Sequence, residues 1–282
     1  MKTVVVYNAK SGSALSKSEL KKLFSKHNIV VEKYIDITTG FPQNLQPFIK
    51  KKCIVAAIGG DGTLSSVANE IIGSKAIFAP LPGGTLNHFT KDLNIPQDLD
   101  VAVQNITKKP ITKVDVATIN NTVFLNNSSL GIYPVSLEFR SNMDTNLGKW
   151  PAAVAGVLKA LFHYKLYTIS VHGNEFKTPF IFIGNNDYHL TDIANAGRKN
   201  LRQGILSIYA VKTGSRLEIL KQLFYIMTGR SHMVTEIETW TAPTITINTK
   251  RPKVSVSRDG ELQKITSPLK YELHAGALDV IA

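Results

Sequence analysis

A strand that must pass through closely spaced glycines into a helix leaves few folds open. Residues 59–63 of this chain, Gly-Gly-Asp-Gly-Thr, impose that passage. The run before them, 53–58, is short, apolar and β-prone. After them Leu64, Val67, Ala68, Ile71 and Ile72 recur at helical spacing. Glycines let the backbone approach a ligand closely, and N–H groups opening a helix point at an anion. Asp61 stands in the middle of the turn. A carboxylate beside bound phosphates repels them unless a cation lies between or a proton must be moved, so the pattern points to phosphate chemistry with Mg²⁺. A tight strand-to-helix turn with Asp61 as its cap accounts for the same residues without a ligand.

The residues around this turn read as α/β. Strands are expected at 3–7, 29–37, 53–58 and 76–81. A helix starts at about Ser16, where Ser16 and Glu19 have capping-box spacing and Leu20, Leu23 and Phe24 form the apolar face. A short helix is expected at 44–50. Such alternation implies a parallel sheet covered by helices, with ligands at the carboxyl ends of the strands. Polar or glycine-rich loops follow three of those strands, at 8–12, 59–63 and 82–87, and all three are placed to converge on one crevice.

From about residue 116 the pattern changes. Strands are expected at 122–125, 167–171, 179–184, 205–211, 244–248, 253–257, 271–274 and 278–281. Several alternate strictly, as sheets with one wet face do. Helices are expected at about 150–164 and 215–228. The reading is an α/β domain over 1–117 and a mostly antiparallel β-sandwich over 118–282. At 282 residues the chain is long enough for both.

Composition narrows the classes further. One cysteine, Cys53, rules out an internal disulfide and fits a reducing compartment. The apolar run at the N-terminus is too short for a signal peptide, and no stretch approaches the roughly 18 apolar residues of a spanning helix. A cytoplasmic protein is expected. Lys and Arg number 33 against 21 Asp and Glu, a net charge of +12. Lysines cluster at 21, 22 and 26, at 50–52, and at 108, 109 and 113. Peripheral contact with an anionic membrane competes with ordinary solvated lysines. Nucleic acid is disfavoured, because no recognition motif or interleaving of arginines with aromatics is present. The histidines have no zinc spacing. His88 reads as a polar residue opening a helix, and 185–187 as cleft lining or a turn.

Beyond these motifs the chain resembles a known family. The loop at 8–12, GGDGTL at 59–64, PGGTLNHFTKDLNIP at 82–96, NNSSLGIYP at 126–134, LGKW at 147–150, IGNN at 183–186, QGILSIYAV at 203–211 and RDGE at 258–261 are similar to the diacylglycerol kinase catalytic-domain family, which includes bacterial soluble lipid kinases and is related to sphingosine kinases. The resemblance spans nearly the whole chain. GGDGT alone is shared with NAD kinases.

The resemblance implies an ATP- and Mg²⁺-dependent kinase acting on a lipid hydroxyl, such as that of diacylglycerol. It implies that Asn8, Ala9, Lys10, Ser11 and Gly12, with Gly59, Gly60, Asp61, Gly62, Thr63, Leu64 and Ser65, hold the ATP phosphates. Thr85 adds a nucleotide contact, and Thr38 is a weaker candidate. Asp61 positions Mg²⁺ through water, Glu261 is the general base, and Asp259 is a second acidic group. RDGE is also a strong hairpin signal through Asp259-Gly260, and turn and site are compatible. No Walker lysine motif is present. Some relatives place an acidic residue where Gln203 stands, holding a structural Mg²⁺, and Gln203 beside Arg202 argues against that ion here. The alternatives are an NAD kinase, whose downstream Asn-Glu pair is replaced by Asn126-Asn127, or an inactive nucleotide- or lipid-binding regulator. The acceptor lipid, donor preference and oligomeric state are not encoded in any short motif.

Overall fold

A computed structural model of the chain describes residues 1–10, 15–131, 167–171, 174–188, 198, 200–211, 221, 237–249 and 251–282. The helix expected at 150–164, the LGKW segment, and all of the helix expected at 215–228 except residue 221 lie outside them.

Strands β1 (Thr3–Tyr7), β2 (Val31–Asp36), β3 (Ile54–Gly59) and β4 (Ile77–Pro82) are parallel and lie in the order β2-β1-β3-β4. β4 is buried along its whole length, and β3 at every position after Ile54. That is the burial of central strands covered on both faces, and it explains their unbroken apolar runs. β2 is an edge strand and mostly open to solvent. Helix α1 (Lys17–Lys26) carries the capping box read from the sequence: Ser16 Oγ accepts the Glu19 N–H at 3.2 Å, and Glu19 Oε2 accepts the Ser16 N–H at 2.7 Å. Its Leu20 and Phe24 are buried on one face of the sheet with Val103 of α5 (Leu99–Asn105). The other face buries Leu64, Val67, Ala68 and Ile71 of α3 (Asp61–Ile71) and Ile49 of α2 (Gln46–Ile49).

The chain's last strand enters this first sheet. The two closing strands expected at 271–274 and 278–281 form one, β16 (Leu269–Ile281), with a register shift between His274 and Leu278. Gly276 occupies the shift at φ +57° and donates its N–H to Asp115 Oδ1 at 2.8 Å. β16 runs parallel to β4 and antiparallel to β5 (Ile111–Ile119), which also pairs with β6 (Thr122–Phe124). It continues the sheet into β13 (Thr244–Asn248), β8 (Tyr167–Val171) and β9 (Asn174–Thr178), making ten strands among the described residues.

The second sheet is antiparallel and has six strands among the described residues. Their order is β12 (Ile237–Ala242), β11 (Leu206–Val211), β10 (Phe180–Asn185), β7 (Asn127–Gly131), β14 (Lys253–Arg258) and β15 (Glu261–Thr266). Leu130, Ile181, Ile183, Ile208 and Val256 on its inner face pack against Ile119, Ile245, Ile247 and Tyr271 of the first sheet. The architecture is therefore a parallel α/β layer continued into an antiparallel sandwich, the fold class read from the sequence. Among the described residues no helix is long and apolar enough to cross a membrane.

Candidate active site

β1 is followed in space by β2 on one side and β3 on the other. The chain thus changes direction across the sheet at β1, and a crevice opens beyond the carboxyl ends of β1 and β3. Tyr7 pairs with Ile58 and Gly59 with Pro82, so the loops after β1, β3 and β4 leave the sheet at one level. A cleft of about 400 Å³ lies there, lined among others by Asn8, Ile58, Pro82, Gly84 and Asn87. Asn8 Nδ2 donates to Thr63 Oγ1 at 3.5 Å, and its Oδ1 accepts the Lys10 N–H at 3.0 Å. The second and third loops touch backbone to backbone: a Cβ on Gly84 would stand 2.4 Å from the Gly60 Cα. The three loops expected to converge do so. Ser11 and Gly12 lie outside the described residues.

The first intrahelical bond of α3 is Leu64 N–H to Gly60 O. The N–H groups of Asp61, Gly62 and Thr63 therefore head the helix with no partner inside it, an anion-binding arrangement. Leu64 and Ser65 are buried and hold the helix from within, Ser65 Oγ donating to the Gly62 carbonyl at 3.2 Å. Thr85 is exposed beside Leu86 at the tip of the third loop. Thr38 Oγ1 donates to Asp36 Oδ1 at 3.0 Å, at the exposed end of β2. It is not among the residues lining the cleft.

Asp61 is more heavily engaged than a carboxylate waiting for a ligand. Its Oδ2 accepts the His88 N–H at 3.1 Å; its Oδ1 accepts the Phe89 N–H at 3.0 Å and Asn126 Nδ2 at 3.0 Å. It therefore caps the short helix α4 (His88–Asp92), whose own N-cap, Asn87, makes no side-chain cap bond and sits at φ +53°. His88 opens that helix, as its polarity implied.

Glu261 and Asp259 come from the hairpin between β14 and β15. Arg258 pairs with Glu261, and the two-residue turn Asp259-Gly260 has φ of +46° and +83°, the signature of a type I′ turn. Asp259 is buried, and its carboxylate accepts the N–H groups of Leu125, Asn126 and Asn127 at 2.8, 2.8 and 3.2 Å. Burial pushes its carboxyl up to about 6 against those three backbone N–H groups. Asp259 is thus a clamp on the β6–β7 loop, and its oxygens do not face the cleft as free acids. Glu261, by contrast, is exposed, and a Cβ on Gly62 would lie 1.9 Å from its Oε1. A carboxylate from the edge strand of one sheet is seated against the anion-binding turn of the other. Gly62→Ala should displace that carboxylate while leaving the backbone intact, because the colliding atoms are the far end of a flexible side chain. We expect turnover to fall by about 10²-fold, the scale set by an ångström of misplacement, in a steady-state assay, with a melting curve close to wild type.

Sequence reasoning missed the residues that join these parts. Arg198 has a side chain 0% exposed and pairs with Asp92, the last residue of α4, at 2.7 Å. Its Nη1 donates to the Leu125 and Asn185 carbonyls at 2.6 and 3.1 Å, and Nη2 donates to Asn126 Oδ1 at 2.8 Å. Nothing in the polar segment around residue 198 distinguishes this arginine from a solvated one. Asn185 and Asn186 are fully buried: Asn185 ends β10 and Asn186, at φ +65°, bridges to Leu206, so they are not a simple turn, and neither is among the residues lining the cleft. Gln203 Oε1 accepts the Asp187 N–H at 2.9 Å.

The donor set decides what kind of Mg²⁺ fits. Among the described residues there is no group of three or more His, Cys, Asp or Glu placed to hold a metal. Asp61 keeps one acceptor site on Oδ2, and Glu261 is exposed. The residues suit an ion carried in on phosphates and touched through water, not one caged by protein ligands.

Comparison with known proteins bears on the whole chain. The profile of the diacylglycerol kinase catalytic domain matches residues 2–119, and that of the YegS C-terminal NAD kinase beta sandwich-like domain matches residues 140–282. A Staphylococcus carnosus protein described as a candidate lipid kinase is 28% identical over 223 residues, 73% of this chain and 69% of the relative. A diacylglycerol kinase of Staphylococcus saprophyticus is 29% identical over 163 residues, 54% of this chain and 52% of the relative, so the match spans about half of that protein. The crystal structure of a diacylglycerol kinase from Bacillus anthracis superposes with a TM-score of 0.69 at 20% identity, covering 99% of this chain and 96% of the other. That likeness is one of fold.

Proposed function

The chain belongs to the diacylglycerol kinase catalytic-domain family of lipid kinases, and from that premise we propose that it moves the γ-phosphoryl group of ATP to a hydroxyl of a diacylglycerol-like lipid, with Glu261 as base. The reading is supported by one observation above the others: Glu261 is seated against Gly62, in the turn whose N–H groups head α3 without a partner inside the helix. In this reading the loops at 8–12 and 59–65 hold the phosphates, with Thr85 at the rim. Glu261 takes the proton of the lipid O–H as that oxygen bonds to the γ-phosphorus. The bond from the γ-phosphorus to the bridging oxygen breaks, and ADP leaves with that oxygen. The N–H groups of 61–63 face the non-bridging oxygens, where charge must be neutralised for transfer to proceed. Mg²⁺ brought with the nucleotide would add charge neutralisation, with Asp61 and Glu261 as the carboxylates near enough in the chain's layout to meet its waters.

The test is transfer of radiolabelled phosphate from ATP to a lipid panel containing diacylglycerol, monoacylglycerol and sphingosine, with NAD as control. Labelled lipid is the expected product. Label on NAD alone would overturn the reading.

A lipid acceptor and a net charge of +12 also imply peripheral membrane binding. Lys50, Lys51 and Lys52 precede β3, at the end of the sheet away from the crevice. Leu86, 59% exposed, stands instead on a cleft loop, and Lys10 and Lys91 lie on the segments after β1 and β4. We expect sedimentation with anionic vesicles, loss of it in high salt, and weaker binding by Leu86→Asp. Equal binding to neutral and anionic vesicles at both salt concentrations would remove the electrostatic part of this account.

A further inference from the structure

The geometry points to Asn126 as a positioning residue for transfer, the side chain that sets the phosphate turn and the base-bearing hairpin in register, with Arg198 fixing which way its amide faces. This rests on the kinase reading above.

Asn126 is 1% exposed and touches two of the site's three acidic groups at once. Its Nδ2 donates to Asp61 Oδ1 at 3.0 Å, and its backbone N–H donates to Asp259 Oδ1 at 2.8 Å. Asp61 belongs to the turn on the first sheet. Asp259 lies two residues before Glu261 in the hairpin of the second. One residue therefore spans the two halves of the proposed machinery.

An asparagine amide presents a donor on one side and an acceptor on the other, and the wrong face toward Asp61 would set oxygen against oxygen. Arg198 removes that choice. Arg198 has only donors, and its Nη2 lies 2.8 Å from the Asn126 Oδ1. With that side of the amide obliged to be oxygen, the other must be the nitrogen that faces Asp61. Arg198 is held in turn by Asp92, at the end of α4 opposite to the one Asp61 caps. The helix is gripped at both ends by one network, and Asn126 is its link to the hairpin. The charged groups meeting there are Asp61 from α3, Asp259 and Glu261 from the hairpin, Asp92 from α4, and Arg198.

Two variants separate positioning from mere support. Asn126→Asp keeps the shape and the acceptor for Arg198 but turns an oxygen toward Asp61. Arg198→Lys keeps a donor-only cation to face the Asn126 oxygen, so the amide stays the same way round, but it removes most of a buried set of hydrogen bonds. Support alone would make turnover fall in the order of lost stability, with the lysine variant worse in both. Positioning predicts crossed orders. Arg198→Lys should lower the melting temperature more, while Asn126→Asp should lower kcat more, by about 10²-fold. The KM for ATP in Asn126→Asp should stay within about threefold of wild type, the signature of an interaction used in the transition state. Should Asn126→Asp fail to fold, Asn126→Ser, neutral and too short to reach Asp61, carries the same comparison. Matching orders of kcat and melting temperature, or an Asn126 variant turning over like wild type, would overturn the proposal. Wild-type protein that labels no lipid would remove the kinase reading itself and is seen before any variant is compared.

Discussion

Glu261→Gln is expected to lower the rate of the chemical step by roughly 10²–10⁴-fold, the usual worth of a general base, and to leave ATP binding near wild type. Glutamine keeps the length and shape of the side chain. It cannot take a proton from the attacking hydroxyl. Glu261 is exposed, so the substitution removes no buried interaction, and stability should move by less than about 0.5 kcal/mol. Single-turnover rates with pre-bound ATP, beside a nucleotide titration, isolate the step. A variant that loses ATP binding while its chemical step keeps its rate would assign Glu261 to the nucleotide site. The base would then have to be sought elsewhere.

Asp61→Asn should cost both rate and stability. Read from the sequence, Asp61 is a lone carboxylate whose amide analogue keeps the fold. The structure gives its two oxygens three N–H donors. An asparagine has one oxygen to offer and turns an NH₂ group toward the rest, so at least one N–H at the start of α4 or on Asn126 faces another donor. A buried donor left unsatisfied costs about 1–3 kcal/mol. The third cleft loop, which α4 anchors, should loosen with it. We expect transfer to fall by more than about 10²-fold, since both loop geometry and the negative charge are lost. Chemical denaturation would show a lower midpoint at unchanged slope. Turnover within about tenfold of wild type, only ~1.4 kcal/mol of barrier, would mean that the carboxylate is structural alone.

Local signals in the chain carried far, and the unread parts have a common cause. The strands expected at 3–7 and 244–248 appear at those bounds, because each is a short β-branched run between breakers. The capping box of α1 and the Asp-Gly hairpin were legible because every atom involved lies within a few residues. β7 was not expected, and its sequence, NSSLG, explains why: Ser128 and Ser129 are buried polar residues, so no apolar alternation marks the strand. β16 read as two strands because the shift at Gly276 breaks its pattern. The site divides in the same way. The glycine turn and Glu261 are marked by local motifs. The partners of Asp61 lie 27, 28 and 65 residues away, and those of Asp259 more than 130, distances at which a sequence pattern carries no trace.

The entry of β16 into the first sheet has a consequence for how the protein is made. β4 has β3 on one side, and its other neighbour is a strand that ends at Ile281. During synthesis the parallel layer emerges early, yet the outer edge of β4 stays open until Ile281 has left the ribosome. Fully buried residues such as Phe78 wait beside that edge. Closing a contact across some two hundred residues is slow relative to local folding, and an open apolar edge invites pairing with other chains. A fragment cut after the first family match would carry the glycine turn and its crevice but keep that edge permanently exposed. The nascent layer is a natural client for chaperones, and expression of the isolated layer should yield aggregates where the full chain yields monodisperse protein.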